Sequence, residues 1–115
     1  MDTELLKVNA RRASALIKAM ANERRLVILC HLAEGERSVG ELEELVGLSQ
    51  SALSQHLARL RREKLVRTRR RAQTIFYSLN GGEAMAVMAT LSDLFAPSRS
   101  DGNLHAAAQA MQAAD

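Results

Sequence analysis

Gln50, Ser51, Ser54 and Gln55 fall on one side of a helical stretch whose Leu53, Leu57 and Leu60 fall on the other. Amide and hydroxyl groups at that spacing point donors and acceptors outward along a helix, which is the chemistry that reads base edges. Glutamine can make two hydrogen bonds to adenine, worth about 1–3 kcal/mol of discrimination. His56 belongs to the same stretch, where phosphate contact or packing suits it better than metal ligation, and Arg59 and Arg61 suit phosphates. A second group, Arg69, Arg70 and Arg71, precedes the turn pair Ala72-Gln73. Three guanidinium groups beside a tight turn would reach a minor groove or its phosphates. The third group is the single thiol, Cys30. Cysteine reacts only as the thiolate, and Arg24, Arg25 and His31 are the neighbours that could favour one. Its helical spacing with Leu26 and Leu29 also fits a small buried hydrophobe.

These groups need elements to hold them. Ser38 with Glu41 is a capping-box signature. Val39, Leu42, Leu45 and Val46 then recur at helical spacing before Gly47 supplies a left-handed stop. Ser49 caps the polar-faced helix. After Lys64 the pattern changes to Leu65-Val66-Arg67-Thr68-Arg69-Arg70-Arg71, a two-residue turn, and Thr74-Ile75-Phe76-Tyr77-Ser78-Leu79. That is strand chemistry on both sides of a hairpin.

Upstream, Leu6, Ala10, Ala13, Ile17 and Met20 predict one long amphipathic helix from Asp2 to Met20. Asn22 caps the next, from about Glu23 to Ala33, with Leu26, Leu29, Cys30 and Ala33 on one face and Gly35 ending it. Downstream, Asn80 and Glu83 suggest the cap of a helix running from Gly81 or Gly82 to about Ala96, with Ala84, Val87, Met88, Leu91 and Phe95 as its apolar face. The fold expected is mainly α with a β-hairpin wing: a winged helix-turn-helix in the order helix, helix, helix, helix, strand, strand, helix. Residues 1–97 would form the DNA-binding and dimerisation domain. Residues 98–115 would be a linker and a disordered or short helical tail.

The 115 residues and 47% hydrophobic content suit one modest core, and with 3% aromatics it must be aliphatic. The net charge of +3 is unevenly spread: residues 49–71 hold eight Lys/Arg against Glu63 alone, whereas residues 34–44 hold five Glu and one Arg. The basic field therefore covers the polar-faced helix and hairpin, where double-stranded DNA would lie. No apolar run reaches the roughly 18 residues of a membrane span, no signal peptide is evident, and one cysteine excludes an internal disulfide, so a cytoplasmic protein is expected. The chain carries no nucleophile-base arrangement or phosphate-cradling glycine loop. An enzyme is not expected, and neither is a cofactor. His31, His105, Met85, Met88 and Met111 fit packing or solvation better than metal ligation. The first and last long helices carry more apolar surface than the domain itself would cover, which predicts a homodimer. Its two reading helices would lie about 34 Å apart on a pseudo-palindromic operator. The alternative class is a winged-helix protein-interaction module.

The run Ala19-Met20-Ala21-Asn22-Glu23-Arg24-Arg25-Leu26-Val27-Ile28-Leu29, with Leu48 to Leu60 and its Ser-x-x-Ser-Gln-His-Leu segment at Ser51 to Leu57, resembles the ArsR/SmtB family of bacterial repressors over residues 10–96. That resemblance implies a dimeric repressor released from its operator by an inducer. The family's metal sites are placed in the first helix of the helix-turn-helix or on the last helix. Here they read Glu41 to Gly47, without Cys or His, and Glu83 with Asp93, without His, so no metal is implied. Leu29-Cys30-His31-Leu32 is similar to the thiol-based branch of reactive-sulfur and redox sensors, the BigR, SqrR and HlyU type. In that branch a cysteine on the second helix pairs with one near the end of the last. Cys30 matches the first position, and the second falls at Ala96. The resemblance thus implies a repressor responsive to persulfides, polysulfides or oxidants through Cys30, in a chain unable to close the intramolecular link. It would be either a Cys-to-Ala variant or a one-thiol member, and a one-thiol redox or haem-responsive regulator is the alternative.

Overall fold

Asp2, Asn22, Ser38 and Ser49 each accept hydrogen bonds from the first turn of the helix that follows, and these caps set the element boundaries. The computed structural model describes residues 1–97. The order is α1 (Thr3–Val8), α2 (Ala10–Met20), α3 (Glu23–Glu34), β1 (Arg37–Ser38), α4 (Val39–Val46), α5 (Gln50–Arg62), β2 (Val66–Arg71), β3 (Thr74–Leu79) and α6 (Glu83–Phe95). The expected linker and tail, with His105 and Met111, lie outside the described residues. The chain divides within α6, the first compact unit being residues 1–85.

The capping box on α4 is complete. Ser38 Oγ accepts from Glu41 N–H at 3.1 Å while the Glu41 carboxylate accepts from Ser38 N–H at 2.9 Å. These bonds hold the Glu41 carboxyl below its ordinary range. Gly47 closes α4 at φ 74°, and its N–H donates to the Glu43 carbonyl. Leu29, Leu42, Leu53, Leu57, Leu60 and Leu65 interlock in the core with Ile28 and Met20. Leucines at 53, 57 and 60 anchor α5 by one face, which leaves its opposite face to solvent.

The structure departs from the sequence expectation at four places. The first 20 residues form two helices that meet at Asn9, whose backbone departs from the helical conformation at φ −101° and ψ 17° and whose Nδ2 donates to the Leu5 carbonyl at 2.9 Å. A short polar side chain that satisfies the preceding turn competes with helix continuation, and the apolar periodicity runs straight through it. In α3 the buried line is Ile28, Leu29 and Leu32. Cys30, about 200° round from Ile28, is exposed rather than sharing the core face. A two-residue strand, β1, joins the hairpin, giving an antiparallel sheet in the order β1-β3-β2 with Arg37 opposite Tyr77 and Ser38 opposite Phe76. Asn80 does not cap α6: its Nδ2 donates to the Lys64 carbonyl at 3.0 Å and its N–H to the Leu65 carbonyl at 2.9 Å, fastening the end of β3 to the start of β2.

Candidate nucleic-acid interface

The polar face of α5 is turned to solvent along its length. Gln50, Ser51, Ser54 and Gln55 are all exposed, and the leucines behind them are at most 2% exposed. The helix thus offers amides and hydroxyls that make no side-chain hydrogen bond among the described residues. Between α5 and the hairpin lies a groove of about 460 Å³, lined by Gln50, Ser54 and Arg61 from the helix and by Ile75 and Tyr77 from β3.

Register sorts the hairpin arginines. Val66 pairs with Leu79, Thr68 with Tyr77 and Arg70 with Ile75, and these pairs share one face of the ribbon. Arg67, Arg69 and Arg71 pair with Ser78, Phe76 and Thr74 on the other. Because Ile75 and Tyr77 line the groove against α5, Arg70 stands on the α5 side. Arg69 is engaged within the fold. Its Nε and Nη2 donate to the two Glu36 carboxylate oxygens at 2.7 Å each, and its guanidinium lies 4.8 Å from the Phe76 ring centre. This two-pronged bond from Arg69 pulls the Glu36 carboxyl below its usual range and raises the guanidinium. Of the three tip arginines, Arg70 and Arg71 therefore remain without an ion-pair partner among the described residues. The turn itself places Ala72 at φ 56°, the left-handed conformation a two-residue hairpin loop demands.

His56 and Arg59 face sideways rather than outward, and both are half-buried. His56 Nδ1 lies 3.4 Å from Arg25 Nη1, and Arg25 Nε donates to the Ala19 carbonyl at 2.5 Å. Burial, then Arg25 and Arg24, push the His56 imidazole below its ordinary value. A neutral ring accepting at Nδ1 fits that position. Arg25 itself is lowered by burial and by Arg59. Arg61 is exposed beside the groove. Glu36, which sets Arg69, and Arg25, which braces His56, are the two residues that sequence periodicity did not place at the interface. Their only advance signal was charge, an acid in a loop and a cation beside a helix cap.

The family model for bacterial regulatory proteins of the arsR family matches residues 22–68, which run from the cap of α3 into β2. The transcriptional activator HlyU of Vibrio cholerae is 54% identical over 95 residues, covering 83% of this chain and 88% of that protein. The solved structure of reduced HlyU from the same organism matches with a TM-score of 0.74 at 54% identity, over 80% of this chain and 97% of that one. The transcriptional repressor BigR from Xylella fastidiosa superposes with a TM-score of 0.80 at 38% identity, over 85% of this chain and all of that one. With the reading helix, groove and basic hairpin in place, the chain belongs to the arsR family and is a winged helix-turn-helix, DNA-binding transcriptional regulator rather than an enzyme.

Proposed function

We propose that the chain is a dimeric repressor that leaves its operator when a reactive sulfur species or oxidant modifies Cys30. The observation that carries this reading is the exposure of Cys30 on α3: a thiol turned away from the Ile28-Leu29-Leu32 core can meet a reagent. His31 beside it is half-buried, with Nδ1 3.6 Å from Glu34. A relative solved explicitly in a reduced form adds support. The step is nucleophilic: the Cys30 thiolate attacks the outer sulfur of an organic persulfide, forming Cys30–S–SH and releasing the organic thiolate. With one cysteine in the chain and alanine at position 96, the reaction stops at that adduct. Mass spectrometry after polysulfide treatment is expected to show sulfur added at Cys30, and an unmodified chain overturns the proposal.

Dimerisation draws its support from uncovered apolar side chains. In α1 and α2, Leu5, Leu6 and Ile17 are each more than half exposed, and at the end of α6 so are Leu94 and Phe95. Sedimentation of the protein at micromolar concentration is expected to give a dimer; a folded monomer refutes it. Contact of Gln50, Ser51, Ser54 and Gln55 with bases, and of Arg59, Arg61, Arg70 and Arg71 with phosphates, completes the reading. His56 braces the helix and Arg69 orients the hairpin.

A further inference from the structure

Away from the outer face of α5 and the hairpin, the first unit collects a second group of cations. Arg11 and Lys18 of α2 and Arg59 of α5 line a groove of about 510 Å³ that contains one acid, Glu63. Arg25, in the first turn of α3, leans on His56 of α5 and is anchored by the Ala19 and Lys18 carbonyls. Outside this group and the α5–hairpin face, Arg12 pairs with Glu83 and Arg37 with Glu41, and on the hairpin Arg69 pairs with Glu36. Among the described residues none of Arg11, Lys18, Arg24, Arg25 and Arg59 has an ion-pair partner, and the Arg59 Nε is buried with no acceptor. Arg25 and Arg59 are close enough for each charge to oppose the other. Holding like charges together uncompensated costs the fold free energy, and a polyanion relieves it. Position adds direction. Ser51, Gln55 and Arg59 are spaced one helical turn apart, so a phosphate strand leaving the base-reading face passes toward this group.

We infer that Arg25 and Arg59, flanked by Arg11, Lys18 and Arg24, form a second phosphate seat that grips duplex DNA beyond the reading helix and wing. The inference rests on the DNA-binding reading of the same unit and lengthens its footprint. The seat contributes affinity without sequence preference, because phosphates carry no base identity.

Fluorescence anisotropy on a random-sequence 30-base-pair duplex, titrated across NaCl concentrations, tests it. Each protomer of an R11Q/K18Q variant is expected to lose about 0.9 from the log–log salt slope per contact removed, roughly 3- to 4-fold in the affinity change between 50 and 200 mM salt. The two substitutions lie on exposed α2 surface, and thermal melts confirm folding; R25Q is measured beside them, with R25K expected to restore most of the slope. R70A is the wing control. An unchanged slope in R11Q/K18Q and R25Q, with a reduced slope in R70A, removes the seat and leaves the DNA reading intact. Unchanged slopes in all three overturn both.

Discussion

Replacing Gly47 and Gly40 by alanine, one at a time, tests the helix-turn-helix corner through two glycines of the same short helix. Gly47 sits at φ 74° at the C-terminus of α4, and a methyl group built there meets nothing within 4 Å. The substitution therefore carries a backbone penalty with no steric one. An L-residue in that left-handed region costs about 1–2 kcal/mol. The stiffer denatured chain returns about 0.4–1 kcal/mol, leaving a net loss of roughly 0.5–1 kcal/mol. Gly40 lies inside α4 without a left-handed φ, and its added methyl would meet only Ser38 Oγ, at 4.0 Å. There alanine stabilises, by roughly 0.5 kcal/mol in a first turn. The two single variants are thus expected to bracket the parent protein. At about 4–8 °C per kcal/mol for a domain of this size, a gap of about 1–1.5 kcal/mol puts their Tm values roughly 4–12 °C apart, with unchanged urea m-values. Because Gly47 also sets the angle between α4 and α5, G47A should weaken operator binding while G40A does not. Equal stability of the two variants, or a G47A protein more stable than the parent, refutes the corner geometry and the ledger built on it.

Two further outcomes follow from the interface. R70A should weaken binding to operator and random duplexes alike and lower the salt slope by about 0.9 per protomer, whereas Q55A should mainly relax operator preference; gel shifts on both duplexes check this, and identical effects of the two changes contradict the division of roles. For pH, burial and the neighbouring Arg25 and Arg24 hold His56 below its ordinary 6.5, so the unfolded chain takes up the proton first. Stability is then full above pH 6.5 and falls as the pH drops below it, in a window distinct from that of Glu36 and Glu41, whose ordinary value is 4.5. Urea midpoints from pH 7.5 to 5 should fall less in H56Q than in the parent, and parallel curves count against the assignment.

Much of this molecule was legible wherever one residue fixes one local conformation. The Ser38–Glu41 box, the Asn22 and Ser49 caps, the Gly47 stop and the Ala72-Gln73 turn each specify geometry within four residues, and each stands where sequence alone puts it. The leucine face of α5 was readable because burial repeats with the helix. What escaped depends on distant partners. Asn9 fits a helix by periodicity until its side chain bonds the Leu5 carbonyl. Asn80 resembles a cap until the Lys64 carbonyl claims it. β1 is two residues long and exists only because β3 lies beside it. Arg69 is one of three tip arginines in the sequence, and only the tertiary approach of Glu36, 33 residues away, gives it an ion-pair partner. The orientation of Cys30 turns on whether Ile28 or Leu26 leads the buried line of α3, a choice of one helical register that apolar residues on several faces do not decide.

The reading head and the thiol meet in one titration: operator binding measured with and without an organic persulfide, on the chain itself, on Cys30→Ser and on Ala96→Cys. Persulfide is expected to release the Ala96→Cys protein most completely, the chain itself in part, and Cys30→Ser never. Release of Cys30→Ser, or an Ala96→Cys protein that holds its operator after treatment, contradicts sulfur sensing through Cys30.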